Sequence, residues 1–200
     1  MKRIADLFET QNKHKLLLLT KGDSVEWLSE RRREQTIVSF SLNTKEVSRK
    51  WEKGAPSPQQ RVSAAKILME LGYEVRIRID PIIPINDWKA HYEDLISSIF
   101  SELPSHPNRI TLGTTRGLVK TLIFAKDRSW EQTAFTEKPE RTGWGKKAPR
   151  ELRREIYLFF YDKLGNFGYD KSRIAMCKET ETMWKELGLS LERIKCNCVW

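Results

Sequence analysis

The chain has 200 residues, 39% hydrophobic and 32% charged; this gives one ordinary domain, or part of a larger one, and excludes a disordered chain. No apolar run approaches bilayer-spanning length and the opening MKRIADLFETQNK lacks a signal-peptide core, so no membrane segment and a cytoplasmic location are expected. The formal charge of +9, concentrated in SERRRE (29–34), WGKK (144–147) and PRELRRE (149–155), points to a solvated basic surface or to a polyanionic partner such as nucleic acid.

In chain order, strand-like runs are expected at 15–20 (KLLLLT), 36–42 (TIVSFSL), 74–80 (EVRIRID) and 109–114 (RITLGT). Helical patterns lie between them. A short helix at 24–33 would be capped by Ser24, and one at 44–53 would begin at Thr44 and stop at Gly54. The best-marked helix is 58–71, where Ser57 and Gln60 make a capping box, Pro58 occupies the first turn and Gly72 suits the C-terminal cap. A further helix, 87–102, follows Asn86. Residues 115–148 read as an irregular excursion rich in charge, glycine and aromatics. A helix at 149–164, a short run RIAMC, a helix near 180–187 and the tail RIKCNCVW complete the chain.

This alternation predicts an α/β fold with a parallel sheet of about four βα units and right-handed crossovers. The units would form a small open sheet or part of a barrel. In the run VRIRID, Val75, Ile77 and Ile79 alternate with Arg76, Arg78 and Asp80. If the aliphatic face packs under helices, the charged face looks into a barrel lumen built for a large polar ligand, with the site at the C-terminal strand ends. Otherwise Arg76 and Arg78 lie on the solvent side of an edge strand. No histidine constellation supports metal or acid–base catalysis, and no glycine-rich phosphate loop is present.

The order of short motifs across residues 15–145 resembles the spore photoproduct lyase group of radical S-adenosylmethionine proteins. The pieces are LTKGDSV (19–25), SFSLNT (39–44), GAPSPQQRVSAAKILMELGY (54–73), DPIIPINDW (80–88) with Tyr92, and TLGTTRG (111–117). The closing CKET and KCNCVW resemble the tail of a subgroup. The resemblance implies half of a partial (β/α) barrel over residues 1–145, followed by a helical, cysteine-containing extension over 146–200. It also implies S-adenosylmethionine and a 4Fe–4S cluster at the strand ends, where reduction of the sulfonium releases a 5′-deoxyadenosyl radical. Carried over position by position, Lys21 would meet the methionyl carboxylate, and Ser41 and Asn43 the amino-acid or ribose part. Asp80 would sit where the family presents polar groups to the cofactor; on the lumen reading of the strand's charged face, Arg76 and Arg78 would look toward the same nucleoside.

Three cysteines, Cys177, Cys196 and Cys198, occupy the last quarter of the chain. In a cytosolic protein such thiolates suit iron–sulfur or zinc coordination better than a disulfide framework, and the subgroup resemblance favours a cluster held by all three. The family's CxxxCxxC loop, however, does not occur in the sequence. The expectation is therefore the second half of a radical enzyme, inactive by itself, that pairs with an N-terminal half on another chain or forms a homodimer. The alternatives are a basic nucleic-acid-binding or subunit-interaction module without catalysis, or a truncated product.

Overall fold

The computed structural model describes residues 1–136, 138–143 and 145–189. The elements in order are α1 (Lys2–Phe8), β1 (Leu16–Thr20), α2 (Glu26–Ser29), β2 (Thr36–Ser41), α3 (Lys45–Trp51), α4 (Pro58–Glu70), β3 (Glu74–Ile82) and α5 (Trp88–Glu102). There follow β4 (Arg109–Thr114), β5 (Arg116–Gly117), α6 (Val119–Phe124), α7 (Glu131–Ala134), β6 (Glu140–Thr142), β7 (Gly145–Lys147), α8 (Arg150–Asn166), β8 (Ile174–Met176) and α9 (Glu181–Glu186).

Five parallel strands form one sheet in the order β1-β2-β3-β4-β8. Beside the four strands expected from the sequence, the run RIAMC supplies the fifth, pairing with β4 through Ile110 and Ile174. Strand alternation then sorts the faces. Val38, Phe40, Val75, Ile77, Ile79, Ile110 and Leu112 join one core with Leu68 of α4, Tyr92, Leu95, Ile96 and Ile99 of α5, and Ile156, Phe160 and Leu164 of α8. Burying each large aliphatic side chain there is worth about 1.5–3 kcal/mol. Ser39, Ser41, Arg76, Arg78, Asp80 and Thr111 point the other way by the period-two rule, and all are buried. β3 is central in the sheet, so the solvent-facing edge-strand reading of Arg76 and Arg78 does not hold. α8 and β8 complete the same core.

Helix ends follow local chemistry. Ser57 accepts from Gln60 N while the Gln60 side chain takes Ser57 N, the capping box read from the sequence. Gly72 has φ +82°, a conformation that favours glycine. The Thr44 side chain caps α3 through Val47 N. α2 is shorter than expected, and Val25, not Ser24, is its N-cap. Residues 115–148 are more regular than the sequence suggests, because β5, β7 and β6 form a small antiparallel sheet. Among the described residues, no helix is long and apolar enough to cross a membrane.

Candidate functional site

The C-terminal ends of β1, β2, β3 and β4 open onto a cleft of about 350 Å³, the position where parallel α/β sheets bind ligands. Lys21 follows β1, Asn43 follows β2, and Asp80, Pro81 and Ile83 come from the end of β3. Thr115 and Arg116 follow β4, Glu52 and Trp51 come from the end of α3, and Trp130 closes the rim. Four ionised side chains thus line the cleft, two of each sign.

Asp80 is the most constrained of them. Arg116 clamps it with two parallel bonds, Nη1 to Oδ1 at 2.8 Å and Nη2 to Oδ2 at 3.0 Å, and Arg78 Nη2 donates to Oδ2 as well. Burial alone would raise the Asp80 carboxyl, but Arg116 and Arg78 together hold it below the ordinary carboxylate range. Burial likewise works against the charge on Arg78, but Asp80 and Cys177 hold it firmly protonated. Arg78 Nη2 also donates to Cys177 Sγ at 2.7 Å. The arginine face therefore looks inward, yet neither Arg76 nor Arg78 lines the cleft. Arg78 serves Asp80, and Arg76 pairs with Glu74 at 2.6 Å.

Asn43 ties two strand ends together. Its Nδ2 donates to Pro81 O at 2.8 Å, beyond the cis Asp80–Pro81 bond, and its Oδ1 accepts from Tyr92 OH at 2.8 Å and from Thr44 N at 3.0 Å. Tyr92 OH in turn accepts from Ile83 N at 2.8 Å. Ser41 is buried in register with Arg78, and its carbonyl takes Arg61 Nη1 at 2.9 Å. Lys21 Nζ donates to Glu52 Oε1, and Arg61 Nη2 lies 2.7 Å from Glu52 Oε2.

Of the expected site residues, then, Lys21, Asn43 and Asp80 converge on the cleft, while Ser41, Arg76 and Arg78 lie buried behind it. Glu52, Arg116 and Trp51 were not singled out from the sequence. Arg116 lies inside the quoted TLGTTRG, but its partner is on the neighbouring strand, and Glu52 ends a helix crowded with charge.

The expected metal ligands fare differently. Cys177 is buried against Arg78, and burial, reinforced by Asp80, pushes its thiol up against the pull of Arg78 and Arg116. Cys196 and Cys198 lie outside the described residues. Among the described residues no group of three His, Cys, Asp or Glu side chains is placed to hold a metal ion.

A second buried polar network adjoins the cleft. Lys147 of β7, in register with Arg116 of β5, places Nζ 3.0 Å from Glu179 Oε2. Tyr157 OH donates to the same oxygen at 3.0 Å, and Arg153 Nε lies 3.4 Å from it. Burial would raise the Glu179 carboxyl, but Lys147 and Arg153 hold it low; burial lowers the Lys147 ammonium despite Glu179.

The family model of spore photoproduct lyase matches residues 1–124. The spore photoproduct lyase of Clostridium acetobutylicum is 25% identical over 183 residues, an alignment covering 87% of this chain and 54% of that protein. The fold matches a solved spore photoproduct lyase complexed with dinucleoside spore photoproduct, at a TM-score of 0.69 and 20% identity over 88% of this chain and 54% of the other. A double mutant of spore photoproduct lyase with bound AdoMet and dinucleoside spore photoproduct matches with the same TM-score, identity and coverage. The chain spans about half the length of these relatives.

Proposed function

The chain belongs to the spore photoproduct lyase family, and from that premise we propose that its cleft is the S-adenosylmethionine-facing part of a radical lyase site. The observation that carries this reading is the convergence of Lys21, Asn43 and Asp80 on one cleft at the C-terminal ends of consecutive parallel strands. The lining fits the cofactor's chemistry, because paired charges of both signs suit a zwitterion and Trp51, Trp130 and Ile83 offer apolar surface to a purine. Lys21 would hold the methionyl carboxylate. Asn43, whose Nδ2 keeps one donor beyond Pro81, would reach the ribose or amino-acid part. Asp80, locked by two arginines, fixes the floor. Bound there, S-adenosylmethionine would supply radical chemistry that side chains cannot.

The 4Fe–4S cluster that the family uses requires thiolates this sequence does not offer at CxxxCxxC spacing. A partner polypeptide carrying that loop is part of the proposal. Titration calorimetry with S-adenosylhomocysteine tests the reading. Saturable binding is expected, weakened about tenfold by Lys21→Ala through loss of one charge-assisted contact. A chain that ignores the ligand at millimolar concentration refutes it.

A non-catalytic nucleic-acid module is the second reading, favoured by the cleft rim. Val119, Ile123 and Phe124 of α6 are exposed, and Lys50 stacks 4.6 Å over the Trp51 ring. Flanking Lys120, Lys126 and Arg128 add charge. Single-stranded DNA affinity falling steeply with salt, without S-adenosylhomocysteine binding, would favour it.

A further inference from the structure

We propose that Tyr92 is a positioning residue for the cleft: its one hydroxyl, reaching in from α5, ties Asn43 to Ile83 and so fixes the wall that the ends of β2 and β3 present to a ligand. The inference rests on the S-adenosylmethionine reading for its ligand alone; the hydrogen-bond geometry supplies the rest.

Three consecutive residues of that wall are each held by a side chain from a different part of the fold. Asn43 Nδ2 donates to Pro81 O at 2.8 Å, Thr115 Oγ1 donates to Ile82 O at 2.6 Å, and Ile83 N donates to Tyr92 OH at 2.8 Å. Asn43, Thr115, Pro81 and Ile83 line the cleft. Tyr92 is fully buried on α5 and stands behind it, its ring edge-on to Phe160 of α8 with centroids 5.4 Å apart. It therefore acts on a ligand only through the residues it holds.

The backbone dictates where each proton in this seam lies. Ile83 N–H can only donate, so the Tyr92 oxygen accepts there and sends its own proton to Asn43 Oδ1 at 2.8 Å; the other acceptor, Ile83 O, is 3.4 Å away. Burial pushes the Tyr92 phenol up, so that proton stays in place. Asn43 Oδ1 also accepts from Thr44 N at 3.0 Å. A flipped amide would turn its NH2 against Thr44 N–H and its oxygen against Pro81 O. With Oδ1 doubly occupied and one Nδ2 hydrogen spent on Pro81, Asn43 has a single N–H left to offer, and the cleft selects a ligand acceptor at that point. Tyr92→Phe keeps the ring and deletes only the oxygen, which orphans Ile83 N and leaves Asn43 Oδ1 with one donor in place of two.

The test is a double-mutant cycle on the full chain, read by calorimetry with S-adenosylhomocysteine. Tyr92→Phe should weaken binding about fivefold, Asn43→Ala about tenfold, and the double variant little more than Asn43→Ala alone. Wild-type affinity in Tyr92→Phe, or a loss that persists undiminished in the Asn43→Ala background, overturns the inference. Tyr169→Phe removes a comparable buried hydroxyl, bonded to Pro107 O ahead of β4 and away from the cleft, and should leave affinity unchanged. An equal loss there would reduce Tyr92 to a structural role and overturn the inference. Proton exchange at the Asn43 side-chain amide, followed by NMR without ligand, should be at least about tenfold faster in Tyr92→Phe. Where that variant fails to fold, 3-fluorotyrosine incorporated in place of tyrosine makes the hydroxyl a stronger donor and should slow the same exchange. An unchanged rate overturns the inference in either case. A chain that shows the exchange change but ignores S-adenosylhomocysteine refutes the S-adenosylmethionine reading and keeps this one. Binding without coupling or exchange change does the reverse, and failure of both overturns both.

Discussion

Gly113 and Asp80 fill each other's space: a Cβ on Gly113 would lie 2.5 Å from Asp80 Oδ1 and 2.6 Å from its Cγ. The carboxylate has nowhere to retreat, since two guanidinium groups pin it. Gly113→Ala is therefore expected to destabilise the fold by about 1–3 kcal/mol, the usual range for overpacking. Urea denaturation measures this; an unchanged midpoint would mean that the clamp yields.

The same carboxylate sets an acid limb to stability. Its folded-state pKa lies below the unfolded one, so its contribution is complete above the unfolded value near 4 and is lost as pH falls through the folded value. Glu52 and Glu179 act in the same direction. Asp80→Asn should lower stability at pH 7 by about 3 kcal/mol, because it leaves two buried arginines uncompensated. It should also flatten the loss that sets in as pH falls below about 4. Thermal midpoints across that window, compared with wild type, check both effects; parallel curves would contradict the assignment.

The Lys147–Glu179 pair predicts an asymmetry. Glu179→Gln leaves Lys147 and Arg153 as neighbouring buried cations and should cost about 3–5 kcal/mol. Lys147→Met removes one cation while Glu179 keeps Arg153 and the Tyr157 hydroxyl, and should cost clearly less. Equal losses by chemical denaturation would show that the carboxylate is not the hub.

Ser57→Ala removes the α4 cap and should cost about 1 kcal/mol, read as a small drop in the urea midpoint. Ser57→Asp, which can accept from Gln60 N in the same way, should restore most of it.

What the sequence made legible follows from the range of each interaction. The strands and α4 announced themselves through period-two and cap signals that lie within a few residues. β8 was read only as a short run, because three residues carry no period. The β5, β6 and β7 sheet was invisible for the same reason. In the site, Arg78 and Asp80 are two apart on one strand and so share a face, which makes their pairing readable from spacing alone. The Arg116 clamp on Asp80 and the Glu52 bridge between Lys21 and Arg61 join residues brought together only by the fold. The arginines were expected to meet a ligand; they meet acids of their own strand instead, because a buried guanidinium needs a permanent counter-ion.

The sheet order carries a consequence for how the molecule assembles. From β1 to β4 each strand docks beside the one before it in the chain, so that arc can zip up progressively as the polypeptide emerges from a ribosome. β8 breaks the rhythm, since the small antiparallel sheet and α8 must both be synthesised before it reaches β4. β8 therefore cannot cover the β4 edge until late in synthesis, and that pairing closes the longest loop between neighbouring strands of the sheet. Cys177, Glu179 and their arginine and lysine partners come together only then.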